Sequence, residues 1–148
     1  MDYEKYERDC EKIRVVNAGL LQEFYDWLKE KWLAKKTIKK HINNTSFYIN
    51  SFLLYSDATE AKDGALGIWM FLWYWFIKKA LRASVSSIKK NATSLKKFYT
   101  FMFETGRIEK EQLDMLKETI KDEMPERIAT MRRYDDESIT DMNEVWWL

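Results

Sequence analysis

Apolar residues recur every three to four positions along most of the chain, and strand-like alternation is hard to find, so the pattern predicts helices almost throughout. Residues 3–16 read as a polar helix anchored by Tyr6, Cys10 and Ile13, ending in a break at Asn17-Ala18-Gly19. From Leu20 to Leu33 the residues Leu21, Phe24, Leu28 and Trp32 recur at helical spacing. Thr37 suits a helix N-cap, and Ile38, Ile42, Thr45, Ile49 and Phe52 then form one stripe running through Tyr55. Residues 56–64 are polar and read as a loop. Leu66 to Ile77 is apolar on every side, which predicts a helix central to the core; the run is too short to span a bilayer, which takes about 20 residues. A helix over roughly 85–104 carries Ile88, Ala92, Leu95, Tyr99 and Met102 inward, and Gly106 is placed to end it in a left-handed turn. Leu113, Leu116, Ile120 and Met124 mark a further helix. Pro125 is placed to open a last short one with Ile128 and Met131. From Tyr134 onward periodicity is lost, yet the tail finishes in Trp146-Trp147-Leu148, a candidate docking segment.

Two of these helices share one design. Leu33-Ala-Lys-Lys-Thr-Ile-Lys-Lys-His-Ile-Asn-Asn-Thr-Ser-Phe-Tyr-Ile-Asn-Ser-Phe52 and Ala83-Ser-Val-Ser-Ser-Ile-Lys-Lys-Asn-Ala-Thr-Ser-Leu-Lys-Lys-Phe-Tyr-Thr-Phe-Met-Phe103 each begin with a small hydroxyl residue at a capping position. Each continues through Ile-Lys-Lys and a polar Asn/Thr/Ser segment to an aromatic end. Such a helix has an apolar side for a core and a basic first half turned to phosphate.

Charge sharpens the picture. The net charge is only +1, but residues 29–56 hold six Lys against one Glu, and residues 78–103 hold seven basic groups and no acid. The acid lies elsewhere, thirteen carboxylates against seven basic groups in residues 104–148 alone. At 148 residues, with 46% hydrophobic and 33% charged, the chain is long enough to bury a core as one globular domain. Cys10 stands alone, so no disulfide framework and no cysteine-built metal site is expected. The acidic, polar N-terminus is unlike a signal peptide, and a cytoplasmic location is expected, with no membrane partner.

The order "apolar helix, short polar break with Leu, Thr-Ile, basic helix ending in aromatics" resembles the start of the core-binding (SAM-like) domain of tyrosine recombinases, the phage integrase family. It is carried by Phe24, Trp27, Leu28, Leu33, Thr37, Ile38, Phe47 and Phe52. Leu81, Ser84, Ser87-Ile88, Leu95, Phe98-Tyr99 and Phe101, followed by Glu104-Thr105-Gly106-Arg107-Ile108, are similar to that family's third helix and the turn after it. The resemblance covers about residues 20 to 124. It implies an all-α fold: a four-helix core-binding-like bundle over 20–124, with an extra N-terminal helix over 1–19 and a C-terminal helical extension and tail over 125–148. It also implies a clamp on double-stranded DNA, in the setting of DNA recombination and integration. Lys36, Thr37, Lys39, Lys40, Asn43 and Asn44 would meet DNA from one helix, and Ser86, Ser87, Lys89, Lys90 and Lys97 from the other. Lys ammonium groups neutralise phosphate, helix N-terminal amides attract it, and Asn or Ser hydrogen-bonds base edges or backbone.

The chain departs from the family in three ways. It ends before the family's catalytic domain would fit, so the module is expected to be non-catalytic by itself. Its 69–76 segment is richer in aromatics than the family's usual Leu and Ala. Lys also stands at nearly every basic position where Arg would give bidentate guanine readout, which favours backbone binding over sequence reading. The single His41, beside Lys40, reads as structural or phosphate-facing rather than as a general base, and Arg132-Arg133-Tyr134 lacks a His partner for an active site. No Gly-rich phosphate loop and no metal-ligand spacing is present, so no cofactor or metal is expected. Trp146, Trp147 and Leu148 are expected to dock the tail on self or on a recombinase partner, and the alternative function is a helical protein-interaction module using its Trp-rich surface and that tail.

Overall fold

A computed structural model describes residues 2–72 and 85–134, and these are helical almost throughout, with no strand among them. Helix α1 (Asp2–Glu30) is one continuous element, without the break expected at Asn17-Ala18-Gly19. Its buried seam runs Cys10, Ile13, Asn17, Leu20, Phe24, Leu28, every step three or four residues. Asn17 is part of that seam because it has partners: its Nδ2 donates to Ile49 O (3.2 Å) and to Asn50 Oδ1 (2.8 Å). Gly19 faces open space, where the lack of a side chain breaks nothing. The N-terminal half is held down by its own small cluster of Cys10, Ile13 and Leu54, and Tyr6 donates its hydroxyl proton to Leu54 O.

The end of α1 is set by Trp32 in the left-handed region (φ 63°), with Lys31 N donating to Leu28 O and Trp32 N to Lys29 O. Trp32 therefore leaves the apolar stripe assigned to it and stands 94% exposed. Helix α2 (Lys35–Phe47) starts after Ala34, whose extended backbone makes it the N-cap without any side-chain capping bond. Thr37 lies in the first turn instead of at the cap, because the helix begins two residues before it. A π-helical turn (Tyr48–Phe52) follows, marked by Leu53 N donating to Tyr48 O.

Two 3₁₀ turns (Ala61–Asp63 and Ala65–Gly67) lead into the short α3 (Ile68–Met70). The segment is thus subdivided rather than one helix from Leu66, and residues 73–77 of that expected helix lie outside the described residues. Ile68, Phe71 and Leu72 are buried as expected, whereas Met70 is exposed. Two buried tyrosines hold the turns: Tyr48 donates its hydroxyl to Gly64 O (2.5 Å) and Tyr99 to Ala61 O (2.8 Å). Burial pushes both phenols well above their ordinary pKa, so they act as donors. Gly64 is required by closeness, since a Cβ there would sit 2.5 Å from the Tyr99 hydroxyl and 2.6 Å from Leu53 Cδ1.

Helix α4 (Val85–Glu104) buries Ile88, Ala92, Leu95, Tyr99 and Met102, as its stripe predicts. It ends at Gly106 (φ 77°) with Gly106 N donating to Phe103 O and Arg107 N to Met102 O, the paired bonds of a Schellman motif. Helix α5 (Lys110–Tyr134) begins with Gln112 reaching back to accept from Glu109 N (2.8 Å). It buries Leu113, Leu116 and Ile120 and runs through Pro125 without restarting. The C-terminal Trp146, Trp147 and Leu148 lie outside the described residues.

Helix α4 packs against α2 on one side and α5 on the other, and α1 lies along α2. Aromatic rings fill the joint, Phe24 edge-on to Phe98 (5.3 Å between centroids) and Tyr48 edge-on to Phe71 (4.9 Å). Arg107 closes the far end of the bundle through an ion pair to Glu23 (2.7 Å).

Candidate nucleic-acid interface

The two look-alike helices meet. Thr37, Lys40 and Asn44 recur at i, i+3 and i+7 on one face of α2, and the first half of α4 answers with Lys89, Lys90 and Thr93. Between them lies a cleft of about 450 Å³, lined also by His41, Asn91 and Ser94. Its floor is buried and polar: Ser94 is 0% exposed, His41 9%.

One hydroxyl organises that floor. Ser94 Oγ donates to Lys90 O (3.0 Å) and accepts from Asn44 Nδ2 (3.0 Å), with His41 Nδ1 at 2.8 Å. Ser94 has a single proton, so with that proton on Lys90 O the Nδ1 of His41 must carry its own, and Nε2 keeps a lone pair. Burial lowers the His41 pKa, and the positive charge of Lys97 lowers it further, so the ring is neutral at pH 7. Its distance to Ser94 is that of a nucleophile and its base, but Ser94 Oγ already gives its proton to Lys90 O. The hydroxyl is sealed from solvent, and neither Lys31–Ser56 nor Lys78–Phe103 contains an acid that would orient the ring.

Lys40, Lys89 and Lys90 are exposed at the rim, and none is in an ion pair with a described residue. A patch of unpaired ammonium groups over neutral amide, hydroxyl and imidazole groups suits an anion with several oxygens.

Five of the expected contact residues, Thr37, Lys40, Asn44, Lys89 and Lys90, converge on this cleft. Lys36, Lys39 and Asn43 are exposed on α2 but do not line it. Lys97 is half-buried, beyond the cleft, near enough to His41 to act on it by charge. Ser86 and Ser87 lie in the first turn of α4. Sequence reasoning missed Ser94 and Asn91, and the available signal was two polar residues amid the apolar stripe of α4. Among the described residues no group of His, Cys, Asp and Glu could hold a metal ion, and no helix is long and apolar enough to cross a membrane. No family model matches the chain, nor does any curated protein or solved structure.

Proposed function

We propose that this chain is a DNA-binding module, non-catalytic by itself, that takes the phosphate backbone of duplex DNA across the cleft between α2 and α4. It would work in the cytoplasm in the manner of the recombinase core-binding domain it resembles, occupying or bending a site without cutting it. The observation that carries the reading is the convergence of Lys40, Lys89 and Lys90 with Thr37 and Asn44, from helices about fifty residues apart in the chain. The absence of acid from both helices' basic stretches strengthens it, because nothing within those stretches neutralises the field over the cleft. Lys39 and Lys36, exposed on α2, extend the basic surface beyond the cleft.

Charge reversal tests the reading. Replacing Lys39, Lys40, Lys89 and Lys90 together by Glu is expected to abolish duplex binding in an anisotropy titration while leaving the helical circular dichroism unchanged, since all four side chains are exposed. A quadruple variant that binds as well as the wild type would refute it.

A further inference from the structure

The corner between α1 and α2 carries a residue that neither packing nor backbone geometry accounts for. Trp32 has φ 63°, and it is the one non-glycine residue in that region among those described. Left-handed backbone brings Cβ against the neighbouring carbonyl, which is why glycine is the usual choice at a helix end. At the end of α4 the same chain does use glycine, Gly106 at φ 77°. At the end of α1 it holds an indole instead, and that indole is 94% exposed, so burial does not offset the strain. Strained residues of this kind cluster at active sites and ligand clamps, where a side chain has work to do.

The surroundings say what that work is. Lys31, Lys35, Lys36 and Lys39 are all exposed around the corner, and no acid occurs between Glu30 and Asp57. Lys31 Nζ lies 4.8 Å from the ring centre of Trp27, leaving the neighbouring indole of Trp32 bare inside a positive field. Thr37, on the rim of the α2–α4 cleft, follows by five residues, at most about 18 Å of chain. A flat π-surface set among ammonium groups, within reach of a phosphate-binding cleft, fits a nucleobase attached to a sugar-phosphate strand. In an intact duplex both faces of each base are covered by its neighbours. An unpaired base has a face to offer.

We propose that Trp32 is a stacking platform for an unpaired DNA base, so that the module prefers duplex carrying a bulged base over intact duplex; this rests on the DNA-binding reading above. The test compares two labelled duplexes of the same sequence, one with a single unpaired adenine, against wild type, Trp32→Ala and Trp32→Gly. Wild type is expected to bind the bulged duplex about tenfold more tightly, the scale of one base–aromatic stack. Both variants are expected to bring the two affinities together without altering the salt slope on the bulged duplex, because the indole carries no charge. Trp32→Gly is expected to raise the thermal midpoint, since glycine relieves the left-handed strain, so its loss of preference cannot come from misfolding. A preference that persists in either variant, or a wild type that does not distinguish the two duplexes, would overturn the proposal. So would a Trp32 requirement seen only on vesicles of anionic phospholipid. A wild type that binds neither duplex overturns the DNA-binding reading instead, and this one with it.

Discussion

Ser94 shows how one small side chain holds two helices in register. Its hydroxyl joins α4's own backbone at Lys90 to Asn44 and His41 on α2, so Ser94→Ala strands a buried imidazole N–H. We expect this substitution to cost about 1–3 kcal/mol, read by urea unfolding, the range for leaving a buried donor unpaired. Gly64→Ala is expected to cost a comparable 1–3 kcal/mol or so by overpacking, because the added methyl meets Tyr99 and Leu53, both buried and unable to swing away. His41 adds a pH dependence. The unfolded imidazole takes up a proton near 6.5, whereas the folded one, buried and close to Lys97, resists it to lower pH. The stability this confers is complete above about pH 6.5 and declines as the pH falls below it, in a window above most carboxylate titrations. His41→Asn keeps an N–H donor and removes the titration, so its stability between pH 7.5 and 5.5 should change less than that of the wild type.

At the scale of elements, α1 makes a sharp prediction. A helix continuous through Asn17-Ala18-Gly19 should protect the amides of those residues from hydrogen exchange as well as those of Phe24 and Leu28. Rapid exchange confined to 17–19 would mean two helices. Periodicity made most of the elements legible: the stripes of α2 and α4, and the glycine end of α4, follow directly from residue spacing. The false break at 17–19 arose because Asn and Gly are turn-formers by propensity. Only the tertiary bonds from Asn17 to Ile49 and Asn50 reveal that here they belong to a helix. Trp32 was misplaced for the opposite reason, since helical spacing cannot show that the chain turns left-handed one residue early. The basic character of the patch formed by Lys40, Lys89 and Lys90 was legible because charge patterning survives without coordinates. The hydroxyl beneath them was not, since a buried polar floor is defined by which helices meet.

For the molecule as a whole, a core drawn from α1, α2, α4 and α5 serves to hold two lysine-bearing helix faces at a fixed separation. On the proposed reading that arrangement would bind duplex DNA through counterion release, so its signature would lie in the salt dependence of affinity and not in affinity alone. The most direct measurement is the dissociation constant of wild-type protein for a short duplex across a salt series. About five phosphate contacts, each contributing roughly 0.9, predict a slope of log affinity against log salt of about −4 to −5. A slope near zero, or no retention of DNA even at the lowest salt, would contradict the account and leave the basic helices as the solvated faces of a protein-interaction module.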